Sequence, residues 1–155
     1  MQVEKVKKRR QIASIALLNE EKFLLQLRDN IPTILAPNHW ALLGGGIEQG
    51  ESPEEAVKRE INEEIDCKIF DVQFVDLIKI RNHPQFGEED LYLFKGKINK
   101  PLKEITLFEG QRLGYFSIKE MKSLLMPDIV KEYLVKNISK FIVLSSVQDL
   151  AQRKT

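Results

Sequence analysis

Two short apolar runs open the patterned part of the chain: Ile12 to Leu18 and Lys22 to Arg28, separated by Asn19-Glu20-Glu21. Runs of this kind around a short polar break predict a β-hairpin. Asn30 to Asn38 holds two prolines and no period, so it reads as a loop leading to His39-Trp40-Ala41-Leu42. A glycine-rich loop and a helix come next. Val72 to Ile80 and Leu91 to Ile98 predict two further strands, joined by a loop from Arg81 to Asp90, and Leu113 to Phe116 predicts another. Ser117 to Leu125 and Asp128 to Phe141 have helical spacing, with Ile129, Tyr133, Ile138 and Phe141 sharing a buried side. The tail from Val143 to Thr155 has only a weak helical character. Strands on both sides of one long central helix, with helices at the end, predict an α/β (mixed α+β) domain whose mixed sheet is sandwiched by helices.

Length and charge narrow this picture. The chain has 155 residues, enough for one domain with a real core. Residues 1–11 are expected to form a basic, solvated arm and residues 142–155 a C-terminal extension. A net charge of +1 gives no argument for a nucleic-acid or membrane partner. The apolar run IASIALL is short, lacks a small-residue cleavage pattern, and meets Asn19, Glu20 and Glu21 at once. Cys67 is the one cysteine, so no internal disulfide forms, and it is expected to be structural and buried. These features predict a cytoplasmic protein, monomeric or homodimeric. His39 and His83 have no metal-ligand spacing.

Candidate chemistry concentrates between Gly44 and Ile65. Ser52 is a strong N-cap, Pro53 suits the first helical position, and Glu55 stands where a capping box needs it. Asp66 stands where the chain must leave the helix, and Asp tolerates the left-handed conformation better than most residues. At roughly 100° per residue, Val57, Ile61 and Ile65 form a buried stripe, and Glu60, Glu63 and Glu64 fall together along its edge. Like charges at this spacing repel, so the folded state should offset the cost. One reading is a solvated acidic edge with Lys and Arg partners. The other is a site for hard divalent cations, which take carboxylate oxygens. Gly44, Gly45, Gly46 and Gly50 just upstream permit close backbone approach to a ligand.

Gly45, Glu51 after five residues, and Arg59-Glu60-Ile61-Asn62-Glu63-Glu64 after seven more resemble the box of the Nudix (MutT-like) hydrolases, G-x5-E-x7-R-E-U-x-E-E-x-G-U. Every charged position is in place. The resemblance extends from Trp40-Ala41-Leu42-Leu43-Gly44-Gly45 to Glu109-Gly110-Gln111, and covers roughly Ile12 to Leu125. Asp66 replaces the second glycine of the box, Cys67 its last aliphatic residue, and Leu43 a frequent proline. The resemblance implies an α/β/α sandwich that uses Mg²⁺ or Mn²⁺ to hydrolyse a nucleoside diphosphate linked to a further group. It implies metal binding by Glu60, Glu63, Glu64 and the Gly45 carbonyl, and a Glu51–Arg59 pair holding the loop on the helix. Glu60 or Glu109 would act as general base. Arg28 and Gly44 are expected at the substrate. Trp40 would either stack on a base or pack under the glycine loop. Glu88, Glu89 and Asp90 are expected at a solvated hairpin tip. The small-molecule substrate implied is a nucleoside triphosphate, an oxidised one included. Alternatives are a nucleotide-sugar hydrolase and a non-catalytic ligand sensor of the same fold.

Overall fold

The computed structural model describes residues 9–143, so what was expected of most of the N-terminal arm and of the tail beyond Val143 lies outside the described residues. Arg10 and Gln11, assigned above to that arm, already belong to the first strand.

The expected hairpin forms from β1 (Arg10–Asn19) and β2 (Lys22–Leu27), with Leu17 opposite Leu24 and Asn19 opposite Lys22. After the loop come β3 (Trp40–Ala41) and β4 (Leu43–Gly46), then α1 (Pro53–Glu64) and β5 (Ile65–Asp66). A long hairpin follows, β6 (Phe70–His83) and β7 (Gly87–Lys97). Then come β8 (Thr106–Leu107), β9 (Arg112–Phe116), α2 (Ile118–Met121) and α3 (Asp128–Lys136). The main sheet runs β3-β2-β1-β7-β6, with β4 also paired to β1 and β9 to β2. β1 and β7 are parallel and the other pairs antiparallel, so the sheet is mixed, as expected.

Alternation along β1 builds the sandwich. Successive side chains of a strand point to opposite faces. Ala13, Ile15 and Leu17 therefore join a core with Ala56, Val57, Ile61 and Ile65 of the α1 region. Ala16 and Leu18 join a second core with Ile118, Met121 and Leu134 under α2 and α3. The stripe read from the sequence of α1 is buried, Val57 and Ile61 being almost fully enclosed. Among the described residues no helix is long and apolar enough to cross a membrane.

Several expectations are corrected. The glycine-rich segment is a strand for part of its length, because Gly44, Gly45 and Gly46 pair with Ser14, Ala13 and Ile12. Arg81 to Asp90 is not a loop: pairing of β6 with β7 continues to His83 and Gly87, leaving a three-residue turn. Glu89 and Asp90 are buried rather than solvated, since Arg10 meets Glu89 and both Arg9 and Arg81 meet Asp90. α2 and α3 are shorter than their apolar spacing suggested, and a 3-10 turn carries Ile138 to Lys140. Leu134 is the enclosed residue of α3. Ile142, placed above in an extension, is part of the second core. Cys67 is half-buried at the edge of the first core.

Candidate active site

The site is assembled where β4 meets α1. Ser52 Oγ accepts from the Glu55 backbone N–H at 3.1 Å, which fixes the start of the helix. At its end the chain leaves through Ile65 in extended conformation, with φ −137° and ψ 152°. Asp66 therefore adopts no left-handed turn. It pairs with Thr106 instead, and the Phe108 N–H donates to the Glu64 carbonyl at 2.8 Å. This exit makes the glycine of the related motif dispensable, and it draws the segment carrying Glu109 against the end of α1.

Arg59 is the hub. Its Nε and Nη2 donate to the two oxygens of Glu51 at 2.7 and 2.9 Å, a forked ion pair. Nη2 also donates to the Gly46 carbonyl at 2.9 Å, tying β4 to the helix. Nη1 reaches Glu60 at 3.1 Å and both oxygens of Glu63 at 3.2 Å. Arg59 itself thus offsets the repulsion among the acidic side chains. The fork from Arg59, helped by the Glu48 N–H, holds the Glu51 carboxyl below the usual carboxylate range.

The three box glutamates sit at different depths. Glu63 remains half exposed. Glu60 is mostly enclosed, and burial raises its pKa against the pull of Arg59, with Glu63 and Glu109 adding to the rise. Glu64 is only 2% exposed. It points inward rather than along the helix edge, accepting from Gln26 Nε2 at 2.9 Å and from the Gly44 N–H at 3.2 Å. Burial, reinforced by Glu60 and Glu109, pushes its pKa up to about 8 despite the Gly44 bond. Glu109, distant in sequence, is thereby placed beside the box carboxylates. Its loop is held by Gln111, whose backbone N–H donates to the Leu27 carbonyl at 2.8 Å and whose side chain reaches the Arg28 carbonyl at 2.7 Å. Gly110 has φ +93°, and a Cβ there would lie 2.8 Å from Gln26 Oε1.

These residues suit a hard divalent cation in donor type. Glu60 feels the charge of Glu63 and Glu109, and a Cβ on Gly45 would come within 2.4 Å of the Glu60 carboxylate, so only glycine leaves this approach open. Among the described residues, no three acidic, histidine or cysteine side chains already stand in a ligating arrangement. Glu64 is turned to Gln26 and Glu63 to Arg59, so holding a cation here would require these side chains to turn.

A cavity of about 270 Å³ reaches the box through Gly44 and Gly45, which adjoin Glu64 and Glu60, although none of the four carboxylates lines it. Gly44, Gly45 and Arg28 line it, with Leu42, Ile80, Leu91 and Ile129 among its apolar walls. Arg28 Nε donates to the Leu35 carbonyl at 2.9 Å. Trp40 is not among the lining residues. It packs edge-on against Phe116, with ring centroids 4.7 Å apart, and under the Arg112 guanidinium, neither beneath the glycines nor in the cavity. Gln26 went unremarked in the sequence, where one polar residue inside an apolar strand was its only signal.

Fold and site together define a Nudix-type domain. The NUDIX domain pattern matches residues 8–133, and the chain belongs to that family. It is 40% identical over 62 residues to the nucleoside triphosphatase NudI of Salmonella paratyphi B, a match covering 37% of this chain and 44% of NudI. The chain thus matches less than half the length of that relative. Its fold is similar to the MutT NUDIX hydrolase of Burkholderia pseudomallei, with TM-score 0.67, 21% identity, and coverage of 81% of this chain and 98% of that one. It is also similar to a NUDIX hydrolase of Nitrosomonas europaea, with TM-score 0.70, 18% identity, and coverage of 90% and 97%.

Proposed function

We propose that the chain is a divalent-cation-dependent pyrophosphohydrolase that cleaves a nucleoside triphosphate to monophosphate and pyrophosphate. The observation that carries this reading is the electrostatic coupling of Glu60, Glu63, Glu64 and Glu109, joined to a cavity lined by Arg28 through Gly44 and Gly45, which adjoin Glu64 and Glu60. NudI's description as a nucleoside triphosphatase supports the choice of substrate.

Glu60, Glu63, Glu64 and the Gly45 carbonyl would hold Mg²⁺ or Mn²⁺. Such an ion, when bound, neutralises phosphate oxygens and makes a bound water more acidic. Everything else falls to the chain itself. Glu51 and Arg59 position β4 on α1 and keep the carboxylates in reach of the cavity. Arg28 supplies positive charge at the cavity wall for the substrate. Glu60 and Glu109 are the candidate acceptors for the proton of the attacking water. Glu109 is exposed and has no hydrogen-bond partner among the described residues, so it is free for that role.

A panel of nucleoside triphosphates and nucleotide sugars with Mg²⁺, scored by product, tests the reading. Monophosphate plus pyrophosphate is the expected outcome. Monophosphate plus sugar phosphate would move the substrate to nucleotide sugars. Silence across the panel, with the protein folded, would favour a ligand sensor.

A further inference from the structure

The cavity wall holds a charged pair that the chemistry above leaves unused. Arg10 and Glu89 are register neighbours on parallel β1 and β7, and both line the cavity. Arg10 Nη2 meets Glu89 Oε1 at 2.7 Å and also donates to the Phe86 carbonyl at 3.3 Å. Glu89 is 8% exposed, between apolar Ile80 and Leu91. Among the described residues its Oε2 accepts no hydrogen bond, and the other nitrogens of Arg10 donate none. Taking the Glu89 carboxylate out of water in this way is costly, and a pair with an Arg10 side chain still 37% exposed is poor evidence of a stabilising device. A spare acceptor beside a spare donor in an apolar pocket is, by contrast, what orients a ligand.

Resting on the nucleotide reading above, we propose that the Arg10–Glu89 pair selects the nucleobase, favouring a lactam edge, in which a ring N–H adjoins a carbonyl. Guanine, uracil and thymine present that edge. The ring N–H donates to Glu89 Oε2 while the carbonyl oxygen accepts from Arg10. Adenine and cytosine offer a ring nitrogen beside an amino group. Their amino group would place one hydrogen on the carboxylate and turn the other toward an apolar wall, an unmet donor in a buried site. In guanine the amino group adjoins the ring N–H and shares the same carboxylate. Sites built to bond a particular N–H discriminate strongly against ligands lacking it.

The test compares kcat/KM for dGTP, dTTP, dATP and dCTP, with Mg²⁺, in the native chain and in Glu89→Gln. The native chain is expected to prefer dGTP or dTTP. In Glu89→Gln the lactam-to-amino ratio should fall roughly 10- to 100-fold, chiefly through KM. The double variant Arg10→Gln/Glu89→Gln leaves no unpaired charge and should lose the preference equally, which covers the case of a poorly folded single variant. A native preference for dATP or dCTP, or an unchanged ratio in a folded variant, overturns the proposal and leaves the pyrophosphohydrolase reading standing. No turnover of any nucleotide by the native chain overturns both.

Discussion

Glu63 bonds within the fold only to Arg59 among the described residues, and half of its side chain faces solvent. Its removal should therefore leave packing untouched while removing a charge from the carboxylate group. Glu63→Gln is expected to lower Mg²⁺-dependent kcat roughly 100-fold or more, since cation stabilisation is worth several kcal/mol, with an unchanged melting temperature. Equal turnover in variant and native chain would defeat the metal assignment. Gly45→Ala acts on the same group from the other side, because its methyl would displace the Glu60 carboxylate. Activity should fall in that variant while circular dichroism stays native. At this scale the closeness of Glu60, Glu63 and Glu64 was readable from helical periodicity, which fixes which side chains are neighbours, while the box as a whole was read from a family resemblance. Depth was not: Glu64 is enclosed by Gln26 and Gly44, which come from other elements. Glu89 was misplaced for the same reason, its partner Arg10 being remote in sequence.

Among the elements, α1 and the β1–β2 hairpin were legible because each signal is local: a cap with proline, a stripe, a polar break. Ser52→Ala should cost about 1 kcal/mol by removing the bond to the Glu55 N–H, measurable by urea denaturation. An unchanged midpoint would show that packing alone defines the helix start. The short strands β4, β5 and β8 were not legible, as four or fewer residues carry no period and depend on their partners. The segment between β8 and β9 joins the site through such pairing. Gly110→Ala should strain it, given φ +93° and the close Gln26 oxygen. A drop in kcat larger than the drop in stability is expected, because Glu109 rides on this turn. If both remained native, the turn would not be what positions Glu109.

For the whole molecule, the sandwich followed from the order of predicted elements, but the parallel β1–β7 pairing did not, since nothing local specifies it. That pairing carries Asp90 into contact with Arg9, while the β6–β7 hairpin brings Arg81 to it. Burial alone would raise the Asp90 pKa, but the two guanidinium groups outweigh it and hold the carboxyl below its ordinary value of 3.8. A lowered folded-state pKa contributes stability that is present above the unfolded value and lost as pH falls through the folded one. The native chain should thus lose stability below about pH 4 more steeply than Asp90→Asn, while the variant melts lower at neutral pH. Parallel acid curves for the two would rule this pairing out as a source of stability.

Arg59 has a consequence for how the protein responds to chelators. Because a resident guanidinium already sits among Glu51, Glu60 and Glu63, folding does not wait for a cation to arrive. On the proposed reading, uptake of a divalent cation would be an exchange of one counter-ion for another, with an apparent affinity set by the difference between the two. EDTA should then silence the protein while leaving its melting curve almost where it was.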